Sequence, residues 1–115
     1  MERSFSVRCE RHDGAWVAIA GGEIDMASAP ELGRALDADG DAALVVLDLR
    51  AVTFLDSSAL GLIVAQLRRA RERGSRFAVA AGPDSEARRL LELAGLLSAV
   101  EVVETPESAL GEDTA

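Results

Sequence analysis

The stretch Leu44 to Leu67, LVVLDLRAVTFLDSSALGLIVAQL, changes its hydrophobic period part-way along, and that change decides the fold class. Leu44 to Leu49 is a nearly continuous aliphatic run, the pattern of a strand covered on both faces. Beyond Asp56-Ser57-Ser58, residues Leu60, Ile63, Val64 and Leu67 follow the i, i+3, i+4, i+7 spacing of one buried helix face, and the helix is expected to end near Gly74. A doubly covered strand followed by an amphipathic helix is the repeating step of an α/β fold.

Toward the N-terminus, Phe5, Val7 and Cys9 alternate with polar residues, Asp13-Gly14 makes a turn, and Trp16 to Ala20 completes a hairpin. After Gly21-Gly22, Ser28 and Glu31 have capping-box spacing, Pro30 falls in the first turn, and Leu32, Ala35 and Leu36 form an apolar stripe. Toward the C-terminus, Phe77 to Ala81 reads as a strand. Asp84 or Ser85 caps a helix with the stripe Ala87, Leu90, Leu91 and Ala94, which Gly95 ends. Val100 to Val103 is a last strand, and Pro106 to Leu110 a short helix. The order β-β-α-β-α-β-α-β-α predicts a mixed, largely parallel sheet packed against helices. Residues 1–111 are expected to form one domain and 112–115 a frayed acidic tail.

Composition narrows the function. Twenty acidic against 12 basic side chains give a formal charge of −8, which repels phosphate backbones and anionic lipid headgroups, so neither nucleic acid nor a membrane surface is an expected partner. Every basic residue is arginine, which removes Schiff-base and P-loop chemistry. A single cysteine forms no intrachain disulfide, and the longest uncharged apolar stretch, Ala59 to Ala65, is far short of the roughly 20 residues that span a bilayer. A cytoplasmic location is the expectation.

A catalytic centre is hard to assemble. Ser57 lacks the G-x-S-x-G setting of a hydrolase elbow, and His12 is the one histidine available as a base. Cys9 and His12 would point to opposite faces of a strand, which suits a core cysteine and a turn histidine better than zinc ligands. Glu23, Asp25, Asp48 and Asp56 invite a Mg²⁺ or receiver-domain reading, but a receiver needs a lysine; the alternative is that Asp25 and Asp56 orient loops or helix starts. Arg68, Arg69, Arg71, Arg73 and Arg76 cluster near a helix C-terminus, where cations complement the dipole. No metal or cofactor is expected.

Asp56, Ser57 and Ser58 are each able to cap the helix that follows, and capping alone would account for one of them. Three such residues exceed what one helix start requires. On a helical wheel Ser58 lies over Leu62, Ala65 and Arg69, away from the stripe, so Leu62 is expected on an outward face able to meet a partner.

The segment Val45-Val46-Leu47-Asp48-Leu49 with Val52-Thr53-Phe54-Leu55-Asp56-Ser57-Ser58-Ala59-Leu60-Gly61 resembles the signature of STAS domains, particularly bacterial anti-sigma-factor antagonists. Gly22-Glu23-Ile24-Asp25 and Arg89-Leu90-Leu91-Glu92-Leu93-Ala94-Gly95-Leu96 extend the resemblance over nearly the whole chain. Ala59 departs from it, standing where glycine is commonest. The resemblance implies partner switching: the unphosphorylated antagonist binds an anti-sigma factor that is also a serine kinase carrying ATP, and so releases a sigma factor. Phosphorylation reverses the binding and a phosphatase restores it. The acceptor would be Ser57, with Asp56, Ser58 and Asp25 contributing to the partner surface beside Leu62, Ala65 and Arg69. A second class stays open, a STAS subunit docking on another machine, such as a lipid transporter ATPase, without a phosphoswitch.

Overall fold

The computed structural model describes residues 4–111; the expected acidic tail at 112–115 lies outside them. The elements follow the expected order: β1 (Phe5–His12), β2 (Ala15–Ile24), α1 (Ala29–Asp37), β3 (Leu44–Leu55), α2 (Ser57–Arg73), β4 (Arg76–Ala80), α3 (Glu86–Leu93), β5 (Glu101–Val103) and α4 (Pro106–Leu110). They build one five-stranded sheet in the order β1-β2-β3-β4-β5. β1 is antiparallel to β2, and the other three pairings are parallel.

Alternation along the strands divides the interior in two. Ala18, Ala20, Val45, Leu47, Leu49, Phe77 and Val79 face the layer of α1, α2 and α3, meeting Leu32, Leu36, Ile63 and Leu91. Ala15, Val17, Leu44, Val46, Ala78 and Ala80 face the other way, under Ala109 and Leu110 of α4. Leu44 to Leu49 is therefore buried on both faces, as its aliphatic run requires. On the α4 face, Asp48 is buried and its carboxylate binds the Arg50 guanidinium through two hydrogen bonds of 3.0 and 3.1 Å.

Two strands outrun the sequence expectation. β2 continues through Gly21-Gly22 to Ile24, and β3 continues to Leu55 beside it. The glycines mark an irregularity, not an end: the β2–β3 register shifts between Ile19 and Gly21 and again between Gly22 and Glu23. Gly22 has φ +81°, and a Cβ there would stand 2.2 Å from the Ser4 carbonyl oxygen, so no side chain fits.

The start of α1 is as expected, but the capping box is not made. Ser28 forms no side-chain cap; its hydroxyl accepts from the Asp25 amide at 2.9 Å and donates to the Glu23 carbonyl at 3.1 Å. Asp25 takes over the turn, its Oδ1 accepting from the amides of Ala27 and Ser28, both at 3.0 Å.

Between α1 and β3 the chain turns through Gly40 and Asp41, both with positive φ, and buries the Asp39 carboxylate at 1% exposure. Arg69 and Arg73 of α2 bind its two oxygens at 2.8 and 3.0 Å, and Gln66 donates to Asp37 at 2.8 Å. The arginines at the end of α2 thus do more than complement a dipole: two of them fasten the helix to the loop before the central strand. Burial pushes the Asp39 carboxyl up, but the hydrogen bonds from Arg69 and Arg73 outweigh it and hold the group below its ordinary 3.8. A lowered folded value means stability that is complete above the unfolded value and disappears as the pH falls through the folded one. Asp39→Asn is expected to cost roughly 2 kcal/mol at neutral pH, with the two arginines partly exposed and able to recover water. Thermal melts across pH should show the gap between wild type and variant closing below pH 3.8.

Candidate functional site

The carboxyl ends of parallel β2 and β3 lie side by side. The backbone N–H of Asp56 donates to the Ile24 carbonyl at 3.1 Å, so the β2–α1 turn holding Asp25 and the β3–α2 turn holding Asp56 are tied together. This is where an open parallel sheet gathers its helix N-termini and presents a site.

Of the three capping-competent residues, Asp56 is the cap. It has extended backbone geometry, and its Oδ1 accepts from the Ser58 amide at 2.8 Å and from the Ser58 hydroxyl. Ser58 is half-buried and its hydroxyl is committed. Ser57, the first residue of α2, is exposed and takes no part in the cap. The geometry thus separates roles that composition left open: one side chain holds the helix, and its neighbour is left to solvent.

The helix face is rotated from the one the sequence spacing predicts. The buried line of α2 is Ala59, Ile63, Gln66 and Ala70, with Leu60, Leu62 and Leu67 partly buried against the core. The outward placement expected for Leu62 is therefore corrected. Its δ1 methyl would lie 3.2 Å from a Cβ on Gly33, so the leucine nests on α1 where α1 lacks a side chain. Arg69 is likewise turned inward, to Asp39. Ala65 alone of the expected Ser58, Leu62, Ala65 and Arg69 face is exposed.

The ridge that does face outward is Ser57, Gly61, Ala65, Arg68 and Glu72, and sequence reasoning missed Gly61. Its signal was the four-residue spacing of small residues from Ser57, which is helix-face spacing. A Cβ on Gly61 would meet nothing within 4 Å. Two apolar residues at this end of the sheet were also missed: Met26, 80% exposed in the β2–α1 turn, and Phe54, 43% exposed near the end of β3.

The fold has known counterparts. Residues 6–109 match the STAS domain model. The chain belongs to the STAS family. Its fold superposes with TM-score 0.84 on an anti-sigma factor antagonist from Mycobacterium paratuberculosis that is 34% identical, over 94% of this chain and 92% of that one. The anti-sigma factor antagonist SpoIIAA in its unphosphorylated form is 19% identical, with TM-score 0.77 over 91% of this STAS chain and 93% of that one. The Bacillus SpoIIAA in its phosphorylated form, also 19% identical, gives TM-score 0.68 over 92% and 97%. Among the described residues of this STAS domain, no helix is long and apolar enough to cross a membrane.

Two neighbouring substitutions on α2 should part company in thermal unfolding. Leu62→Arg is expected to lower the melting temperature, costing about 2 kcal/mol, because it drives a charge into the Gly33 contact. Gly61→Ala should raise it by up to about 1 kcal/mol, since the added methyl meets open space and an interior glycine weakens a helix.

Proposed function

We propose that this STAS domain is an anti-sigma-factor antagonist that binds an anti-sigma serine kinase through the carboxyl-end surface around Ser57 and is switched off by phosphorylation of Ser57. What carries the reading is the division of labour at the start of α2, where Asp56 caps the helix and the exposed Ser57 hydroxyl is left outside the cap. The 34% identical antagonist from Mycobacterium paratuberculosis supports it. The chain acts by binding and turns nothing over; ATP belongs to the kinase partner, and a separate phosphatase resets the site.

On this reading Asp25, Asp56 and Ser58 shape the turn pair, and Ser57, Gly61 and Ala65 form a low ridge against which a partner helix or strand packs closely. Met26 and Phe54 supply exposed apolar area at the same end of the sheet. Leu62 and Arg69 act indirectly, by fixing how α2 lies on α1 and on the Asp39 loop. Phosphoserine brings about −1.5 to −2 charges, which a helix N-terminus accommodates, so the modification leaves the fold in place and acts on the interface. Against a desolvated partner surface that charge costs several kcal/mol, and about 1.4 kcal/mol is tenfold in affinity.

The test pairs phosphosite mapping with titration. Incubation with the kinase and Mg-ATP should place phosphate on Ser57, and Ser57→Ala should abolish it while still binding. Ser57→Asp should bind about tenfold more weakly or worse at unchanged melting temperature. Phosphate on Ser58, or equal affinity for Ser57→Asp and wild type, would refute the site or the charge mechanism respectively. No phosphate from a kinase that does bind the chain would turn the reading to a docking subunit.

A further inference from the structure

β1 forms one edge of the sheet, and among the described residues only β2 pairs with it. The opposite edge, β5, is three residues long; β1 is eight. Its outer backbone groups can be assigned. The Glu23 amide donates to the Ser4 carbonyl at 2.8 Å, one step beyond the Phe5–Gly22 pairing. Hydrogen-bonded pairs recur at every second residue of an antiparallel ladder. Ser6, Arg8 and Glu10 therefore turn their backbone groups to β2, and Phe5, Val7, Cys9 and Arg11 turn theirs outward.

We infer that this edge pairs, antiparallel, with β1 of a second copy about a two-fold axis at Cys9, extending the sheet across two chains. The order of charges selects that axis. With Cys9 opposite Cys9, each Arg8 stands opposite the other copy's Glu10, in a non-hydrogen-bonded pair where side chains lie closest and opposite charges attract. An axis at Arg8 or Glu10 would oppose like charges, and one at Val7 would leave both facing serines. Arg8 and Glu10 already form an ion pair along the strand, so the dimer would hold four charges alternating in sign around the axis. The Arg8 side chain is 68% exposed and has room to reach across.

Charges on an edge strand ordinarily discourage pairing. They do so when like meets like. Here a positive residue and a negative one two places on become complementary when the strand is read against itself. The outward N–H and C=O groups of Val7, Cys9 and Arg11 would gain partners in the same register. Because the axis reverses strand direction, the two Ser57 residues would lie at opposite ends of the joined sheet, both accessible. The inference is independent of the role given to Ser57.

Sedimentation velocity over a concentration series tests both the dimer and its register. Wild type should dimerise reversibly, and Arg8→Glu or Glu10→Arg alone should weaken self-association about tenfold or more, since each sets like charges opposite at two places. The double variant Arg8→Glu/Glu10→Arg should recover it. An equimolar mixture of the two single variants should form a heterodimer, because one chain then carries acidic side chains at both positions 8 and 10 and the other carries basic ones at both. Circular dichroism checks that each variant folds, and Arg8→Gln and Glu10→Gln keep the ranking measurable if a reversal does not. Wild type remaining monomeric up to on the order of 1 mM would overturn the inference. So would a dimer indifferent to Arg8→Glu, or single variants that fail to associate when mixed.

Discussion

Burial of the first half of β3, Leu44 to Leu49, on both faces is the constraint on which the other elements depend. Leu44, Val46 and Asp48 point to the α4 side, and Val45, Leu47 and Leu49 to the three-helix side, so this first half of the strand has no face on which to meet water. A strand of that kind needs neighbours along both edges and layers above and below, which β2, β4 and the helices provide. Parallel pairing on both sides then brings the carboxyl ends of β2 and β3 to one rim. The Asp56–Ile24 backbone hydrogen bond fixes their turns there, and with them the first turn of α2.

The electrostatics serve the same arrangement. A chain with an excess of acidic residues uses several of its few cations internally: Arg50 on Asp48, Arg69 and Arg73 on Asp39, Arg76 on Glu101. Asp39 matters most, because its nearly complete burial makes its carboxylate dependent on the two guanidinia. Through it the far end of α2 is fastened to the loop entering β3, while the near end is fastened by Asp56 at the loop leaving β3. The helix that presents Ser57 is therefore held at both termini by the strand that precedes it. On the role proposed for Ser57, such a support would let a small charged group at one end be read by a partner as a change in surface, with the scaffold unmoved.

The features legible in the sequence were those written in local signals. The aliphatic run at Leu44 to Leu49, the Asp13-Gly14 turn, and the stop at Gly74, where φ is +70°, each depend on a few adjacent residues. What escaped depends on contacts between distant segments. Gly21-Gly22 spells either a break or a bulge, and the choice is made by the approach of Ser4 to Gly22. Ser28 and Glu31 have the spacing of a capping box, yet Asp25 reaches the turn amides first. The wheel of α2 offers two adjoining apolar arcs, and spacing alone does not say which turns inward. Gly33 on α1 and Asp37, which binds Gln66, settle that, and both lie far upstream in the chain. Ser57 was singled out by the family resemblance; the residues by themselves left three candidates for one cap.

Why a hydroxyl beside the cap, and not the cap itself, suits a switch follows from the energies involved. Modifying the residue that caps α2 would exchange a hydrogen bond worth about 1 kcal/mol for a new one, and would couple signalling to folding. Ser58 is less suited for a related reason, since its hydroxyl is bound to Asp56 and would have to be released before it could react. Ser57 carries neither cost. A charge placed there meets the positive end of the helix dipole, a favourable contribution of about 0.3–1 kcal/mol in water, so the free protein tolerates both states. Only when a partner strips the water from that surface does the same charge, beside the Asp56 carboxylate, become unfavourable by several kcal/mol. With Ser57 as the proposed acceptor, the difference between those two environments would be the switching energy, and it would arise from a helix that keeps its cap and its acceptor on adjacent residues.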